Sequence, residues 1–228
     1  NDVLICEGWV SDTAPSNSSI VNSSSLTISN SAPTVPTISI APVTAYTNST
    51  LNCSANYGDA DSDKGNVSIT WYNGSAGTTQ YETTTKLNIL AGDMISDELA
   101  AGIQAKGETW NCTINATDSA GNAGAPNSIT RTISNTLPEV TSAVVMNLTS
   151  ATILTAQINC SFNHTDADTE TLTDKFRWYK NNVYTGNTTS WITNRSFTTN
   201  DVLICEGWVS DTAPSNSSII NSSSLTIS

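Results

Sequence analysis

Histidine and basic side chains are nearly missing from this sequence. Among 228 residues there is one His, and eight Lys plus Arg stand against twenty Asp plus Glu, a formal net charge of -12. Ser-His-Asp or Cys-His catalysis would have to run through His164 alone, and no P-loop, dinucleotide fingerprint or zinc-protease helix is present. No enzymatic activity is therefore expected. The acidic balance repels nucleic acid and anionic membrane surfaces. No apolar run is long enough to cross a bilayer, so no membrane-spanning segment is expected in this stretch. A basic-then-apolar opening and an initiating Met are missing too. The sequence reads as a mature form or an internal fragment, and it leaves the export signal undecided.

Charged residues amount to only 12% of the chain, and six Trp, six Tyr and many Val and Ile accompany them, which favours folded chain over disorder. Ser and Thr number 67 and Asn 25, so the surface is polar by hydroxyl and amide rather than by charge. Residues 1–29, NDVLICEGWVSDTAPSNSSIVNSSSLTIS, return as residues 200–228 with one change, Val21 against Ile220, a period of 199 residues. Near-identity over that length reflects repetition, not shared composition. A weaker repeat lies inside the period. Cys53 to Tyr72, CSANYGDADSDKGNVSITWY, aligns without gaps on Cys160 to Tyr179, CSFNHTDADTETLTDKFRWY, and ETWNCTINATDSAGN runs parallel to DVLICEGWVSDTAPS. The seams read SNSAPTVP at 29–36 and SNTLPEV at 134–140, where Pro and Asn end one strand before the next begins. Three segments follow: residues 1–30 as the C-terminal third of a preceding B-type domain, 31–136 as domain A, and 137–228 as domain B.

Short β-prone stretches separated by Gly, Asn, Asp and Pro clusters recur along both domains, and the expected class is all-β. In domain A strands are expected near 35–40, 50–56, 66–72, 84–90, 109–116 and 127–134, with one helical turn in AGDMISDELAAGIQ. Domain B repeats the order with a shorter connection before its second Cys. The orders Cys53, Trp71, Cys112 and Cys160, Trp178, Cys205 resemble the Cys-Trp-Cys signature of immunoglobulin-like domains. With DADSD before the Trp strand and CTINATDSAGN on the sixth strand, the closer resemblance is to the tandem Ig-like (PKD-like) β-sandwich repeats of prokaryotic, archaeal, cell-surface or filament proteins. The resemblance implies tandem immunoglobulin-like β-sandwich domains, each with a Trp packed on an inter-sheet disulfide, Cys53 to Cys112 and Cys160 to Cys205. Two features depart from antibody-type domains. The tyrosine-corner position holds Trp110 and Leu203, and an acidic loop lengthens the Cys-to-Trp spacing. Cys6 repeats Cys205, so its partner is expected in the preceding domain. Clustered Cys and His for zinc are missing. A paired-carboxylate glycosidase needs a cleft, which thin sandwiches rarely make.

Asn-X-Ser/Thr occurs at Asn17, Asn22, Asn48, Asn52, Asn66, Asn73, Asn111, Asn115, Asn147, Asn159, Asn163, Asn187, Asn194, Asn216 and Asn221. Composition alone supplies about seven of these sequons, so covalent N-glycans are expected at several of them and not at all. Strand alternation sharpens the choice: Asn52, Asn111 and Asn159 lie one residue before a Cys, and Asn115 and Asn163 three after one, so all five are expected to face solvent.

Asp59, Asp61 and Asp63 alternate in one loop, Asp166, Asp168 and Glu170 in its counterpart, and Asp118 and Asp211 follow the sixth strands. In an Ig-like sandwich these loops share the end where the linker from the preceding domain arrives, which makes calcium a candidate ligand. The alternative is that Asp serves turns through local hydrogen bonds. Trp208 and its copy Trp9 should point outward, against a neighbouring strand, an adjacent domain or a glycan. The function expected is a structural building block of an extracellular, cell-surface stalk or filament. Its partners would be neighbouring repeats or identical chains set end to end. The alternative is an adhesin or carbohydrate-binding module for cell-surface glycans. Strand donation in the manner of a pilin faces the difficulty that domain B already carries its own copy of the N-terminal segment.

Overall fold

Strands are the only regular structure among the described residues of the computed structural model, which are 2–14, 16–35, 37–74 and 79–228. Contacts divide the chain into two compact units. The first comprises Asn1–Val43, Leu51–Leu99 and Thr109–Arg131, and the second Thr44–Thr50, Ala100–Glu108 and Thr132–Ser228. Loops 44–50 and 100–108 thus pack with the second unit.

The first unit opens with four short strands, β1 (Val3–Leu4), β2 (Glu7–Gly8), β3 (Val21–Asn22) and β4 (Leu26–Thr27), in which β1 pairs with β4 and β2 with β3. Next come β5 (Ile38–Ala41), β6 (Ala45–Tyr46, within the second unit), β7 (Leu51–Asn56), β8 (Gly65–Asn73), β9 (Thr79–Ile89), β10 (Met94–Leu99), β11 (Thr109–Asp118) and β12 (Asn127–Ser134). They form one sheet in the order β10-β7-β5 and another that runs β12-β11-β8-β9. The second unit continues with β13 (Glu139–Val140), β14 (Val145–Met146), β15 (Gln157–Ser161), β16 (His164–Thr165), β17 (Thr173–Lys180) and β18 (Val183–Tyr184). It ends with β19 (Trp191–Thr193), β20 (Val202–Ser210), β21 (Ile220–Asn221) and β22 (Leu225–Thr226). Its main sheets run β14-β15-β19 and β18-β17-β20-β21, with β22 also on β20.

Period-two burial explains these strands. Leu51, Cys53 and Ala55 are buried on β7, and Leu203, Cys205, Gly207 and Val209 on β20, while the residues between them are not. The two-residue turn Asn181-Asn182, with φ of 51° and 65°, joins β17 to β18 in the conformation that matches the twist of a hairpin.

Cys53 on β7 is bonded to Cys112 on β11, and Cys160 on β15 to Cys205 on β20, so each disulfide ties one sheet to the other. Trp71 lies opposite Cys112 in the β8–β11 register and Trp178 opposite Cys205 in β17–β20, both 0% exposed. Their indole N–H groups, costly to bury unpaired, donate to Asp97 Oδ2 at 3.2 Å and to the Thr189 carbonyl at 2.9 Å. Each unit is an immunoglobulin-like β-sandwich. Trp110 and Leu203, at the tyrosine-corner position, are buried instead.

One local expectation fails. The stretch AGDMISDELAAGIQ holds no helical turn; it contains β10, paired with β7 so that Asp97 lies opposite Cys53. Ile95 and Leu99 alternate into the core, and that period-two pattern outweighs the helix propensity of Asp-Glu-Leu-Ala-Ala.

Each disulfide closes a long loop, with separations of 59 and 45 residues. Replacing Cys53 and Cys112 together by Ala is expected to remove about 4 kcal/mol of stability by freeing the unfolded chain. Urea unfolding measures this, and a loss below about 1 kcal/mol would show that the cross-link is not the constraint it is taken for.

Candidate functional site

A two-residue segment at each seam of the sequence, Asn30-Ser31 and Asn135-Thr136, here called the connector, is held in the same way within its own unit. In the first, Asp59 Oδ1 accepts the amides of Asp61 (2.8 Å) and Asp63 (3.2 Å), curling the loop so that Asp61 Oδ2 accepts the Ser31 amide at 2.5 Å. Asn30 Nδ2 donates to Asp118 Oδ2 at 2.7 Å and to its neighbour's carbonyl, Ser31 O, at 3.1 Å. In the second, Asp166 Oδ1 accepts the Asp168 amide at 2.7 Å, and Asp168 Oδ2 accepts the Thr136 amide at 2.6 Å. Asn135 Nδ2 donates to Asp211 Oδ2 and to the Thr136 carbonyl, both at 2.9 Å. The remaining oxygens of Asp118 and Asp211 accept the amides of Asn122 (2.8 Å) and Ser215 (2.7 Å). Every donor here is an amide with no titration of its own.

Burial pushes the Asp118 and Asp211 carboxyls up, but the hydrogen bonds they accept outweigh it, and both sit below the ordinary carboxylate value. Asn122, Asn30 and Ala120 supply those bonds to Asp118; Asn135, Ser215 and Ala213 supply them to Asp211, with the Lys106 charge adding a further pull.

The second unit adds a charge cluster. Lys106 Nζ, on loop 100–108, pairs with Glu170 Oε1, which also accepts Thr212 Oγ1 at 2.6 Å; Thr47 Oγ1, on loop 44–50, donates to Asp168. Asp166, Glu170 and Asp211 bring carboxylate oxygens within 4.8 Å of one another. Asp166 Oδ2 and Glu170 Oε2 are buried there without a hydrogen-bond partner. Burial raises the Asp166 carboxyl above its ordinary value, and the neighbouring Asp168, Glu170 and Asp211 charges add to that against the one amide it accepts. Bonding to Glu170 raises Lys106 in turn.

Of the eight acids expected around a cation, three thus converge. Asp61, Asp118 and Asp168 are occupied by the connector, and Asp59 and Asp63 belong to the turn that presents Asp61. Sequence reasoning missed Asn30, Asn135 and Lys106. The first two were legible, because Ser-Asn opens both seams. Lys106 was not, because nothing local announces that its loop reaches Glu170.

Trp208 projects outward as expected and is covered from the neighbouring strand, with the Arg177 guanidinium 4.8 Å from its ring centre; Trp9 is 58% exposed. Among the sequons, Asn115, Asn159 and Asn163 are exposed and Asn52 is half-buried. Asn111 is a correction. It is 8% exposed, because it sits on the central strand β11 directly opposite Tyr72 of β8. Asn187 is half-buried, and its Nδ2 donates to the Trp191 carbonyl at 2.9 Å. His164 lies 3.2 Å from Asp174. A shallow groove of about 820 Å³ in the second unit is lined by Tyr46, Asn48, Leu137, Asn216 and Ile220 among others.

No protein-family model matches the chain, and no curated protein matches it. Among solved structures it is similar to the PKD domain of an M14-like peptidase from Thermoplasmatales archaeon SCGC AB-540-F20, at 16% identity and TM-score 0.34 over 46% of this chain and 99% of that one. It is also similar to the FN1-FN3 domains of chicken CNTN1, at 9% identity and TM-score 0.33 over 96% and 74% of the two chains. A third similarity is to the fibronectin(III)-like modules of Clostridium thermocellum CbhA, at 11% identity and TM-score 0.27 over 84% and 94%. The immunoglobulin-like class rests on the strand order and the inter-sheet disulfides.

The pH response follows from these signs. Asp118 and Asp211, held low, contribute stability that is complete above the unfolded carboxylate value of about 3.9 and is lost as pH falls through their folded values. Asp166, held high, opposes folding above its raised value, and the penalty disappears as pH falls through it. Melting temperature is expected to rise on mild acidification and then drop. Asp166→Asn, which keeps the acceptor for the Asp168 amide, raises the neutral-pH melting temperature and abolishes the initial rise. A variant whose curve overlays the parent's would show that the cluster carries no such strain.

Proposed function

We propose that this chain is a structural building block of an extracellular stalk or filament made of near-identical Ig-like repeats in tandem. One observation carries the reading: the connectors Asn30-Ser31 and Asn135-Thr136 are clamped by the same kinds of atoms in both units, each by one loop carboxylate on the backbone amide and one strand-end carboxylate on the asparagine side chain. A connector fixed identically at every repeat makes a rigid, regularly spaced string, which a stalk needs and a flexible tether does not. Two disulfides are compatible with an oxidising, extracellular compartment. N-glycans belong on the exposed Asn115, Asn159 and Asn163, away from the buried Asn111. No catalytic role is proposed.

The second reading, an adhesin or carbohydrate-binding module, is favoured by the groove with the 38% exposed Tyr46 on its wall, a ring of the type that packs on sugars. Multi-period material in electron micrographs is expected to show a constant axial spacing. Irregular particles, together with specific retention of the 228-residue chain on a glycan array, would transfer the assignment to the adhesin.

Calcium enters this proposal at one place, the trio Asp166, Glu170 and Asp211, where Lys106 supplies one positive charge against three negative ones. Isothermal titration of the 228-residue chain is expected to give calcium heat that Asp166→Asn removes. No heat and no gain in melting temperature would eliminate the ion and leave the clamp, which is built without it.

A further inference from the structure

Residues 2–29 and 201–228 form the same hairpin in two different surroundings. Val3↔Thr27, Leu4↔Leu26, Glu7↔Asn22 and Gly8↔Val21 in one copy match Val202↔Thr226, Leu203↔Leu225, Glu206↔Asn221 and Gly207↔Ile220 in the other. The serine bonds agree as well: Ser23 Oγ accepts the Cys6 amide and Ser222 Oγ the Cys205 amide, both at 3.0 Å. The register and the serine bonds are thus the same whether or not the face is covered.

The faces differ. Leu203, Val209, Leu225 and Ile227 are 0%, 0%, 2% and 0% exposed, whereas Leu4, Val10, Leu26 and Ile28 are 56%, 74%, 60% and 44% exposed. What covers the second copy is residues 140–197, including Val144, Ile158, Cys160, Phe176, Trp178 and Ile192. At Gly207 an added Cβ would come within 2.7 Å of the Phe162 ring; at Gly8 nothing lies within 4 Å. Cys205 is bonded to Cys160, and Cys6 is free and exposed.

We infer that residues 2–29 complete the B-type sandwich of a second copy of this repeat, covering that copy's residues 137–199. Cys6 bonds there to the second copy's Cys160, and Trp9 lies under its Arg177. The occupant is fixed by the chain itself, because the nearly identical hairpin already covers that surface in the second unit. The difficulty of a seat already filled by 200–228 does not arise for a copy whose own C-terminal hairpin is lacking. Forming the bond takes two electrons and two protons from the two thiols; in the test they pass to oxidised glutathione, which leaves as two molecules of thiol. The inference deepens the tandem-repeat reading by naming the partner of this hairpin, and it rests on that reading.

Two variants test it in glutathione redox buffer. The 228-residue chain keeps its seat filled and is expected to stay monomeric with Cys6 open to alkylation. A chain ended at Thr199 has an empty seat and a free hairpin, and is expected to run as a disulfide ladder on non-reducing gels, with Cys6–Cys160 peptides in its digest. Cys6→Ser abolishes the ladder. Gly8→Val leaves the melting of the 228-residue chain unchanged and also abolishes the ladder, because its side chain would collide with Phe162. A ladder built of Cys6–Cys6 bonds, or a monomer with both thiols alkylated, overturns the inference.

Should the shortened chain fail to fold, a chain carrying residues 137–199 joined ahead of residue 1 decides the matter. Cys6 there is expected to be protected and bonded to the added Cys160, and a Cys6 still open to alkylation overturns the inference. A paired Cys6 in material without regular axial spacing removes the filament and leaves this inference; regular spacing with Cys6 free does the reverse.

Discussion

The structure depends on one constraint: a two-stranded hairpin with a single apolar face has to cover that face. A hairpin of this size is marginal alone in water, and β20 with β21 and β22 solves the problem by laying Leu203, Cys205, Val209, Leu225 and Ile227 into the core formed by residues 140–197. The disulfide makes the solution permanent, since Cys205 stands in the middle of that face. Everything else in the unit follows from keeping the seat in shape. Trp178 sits opposite Cys205 with its indole N–H satisfied, and Gly207 gives up its side chain so that the Phe162 ring can approach. The half-sandwich of residues 140–197 and the hairpin of residues 201–228 each leave an apolar face that the other covers.

Where strands end, carboxylates take over. The chain has few bases to pair with its acids, and it uses the acids as acceptors for amides. Asp61 and Asp168 take backbone N–H groups of the connector, while Asp118 and Asp211 take asparagine side chains and turn amides. A carboxylate is a better acceptor than a neutral carbonyl, so each two-residue segment is held firmly on its own unit. The Asp166–Glu170–Asp211 cluster is the exception. There the acids face one another, and Lys106 compensates them in part.

Much of this was legible. Cys-Trp-Cys order and period-two alternation placed both sandwiches, both disulfides and most strands of the first unit, because each is written in local pattern. The repeat made Cys6 interpretable where its count alone was not. Three features escaped for separate reasons. Met94–Leu99 alternates in a stretch whose composition favours helix, and only pairing with β7 decides between them. Asn111 faces away from the core, yet the central position of its strand buries it, and alternation says which side a residue is on but not how crowded that side is. The acidic loops pointed to a cation by composition. In the structure six of those eight acids turn at least one oxygen toward an amide proton, which carries no sequence signature.

The choice of amides as partners decides how such a chain responds to salt. Surface ion pairs weaken as salt rises, with a screening length of about 8 Å at physiological ionic strength. Lys106–Glu170, Arg177–Glu206 and Lys180–Asp201 pair opposite charges, and the last two each involve a group that is more than a third exposed. The four clamp bonds join an acid to an amide at 2.5 to 2.9 Å, and three of them are part-buried, which lets salt screen those three less than it screens exposed pairs. Their donors do not titrate either, so the clamps release only when the carboxylates themselves take up protons. Those of Asp118 and Asp211 are held low by the very bonds at issue, which delays release to more acid conditions than an unbonded carboxylate would tolerate. A chain poor in bases and rich in Asn, Ser and Thr thus holds Asn30, Asn135 and Thr136 by part-buried bonds that salt screens less than it screens exposed charge pairs.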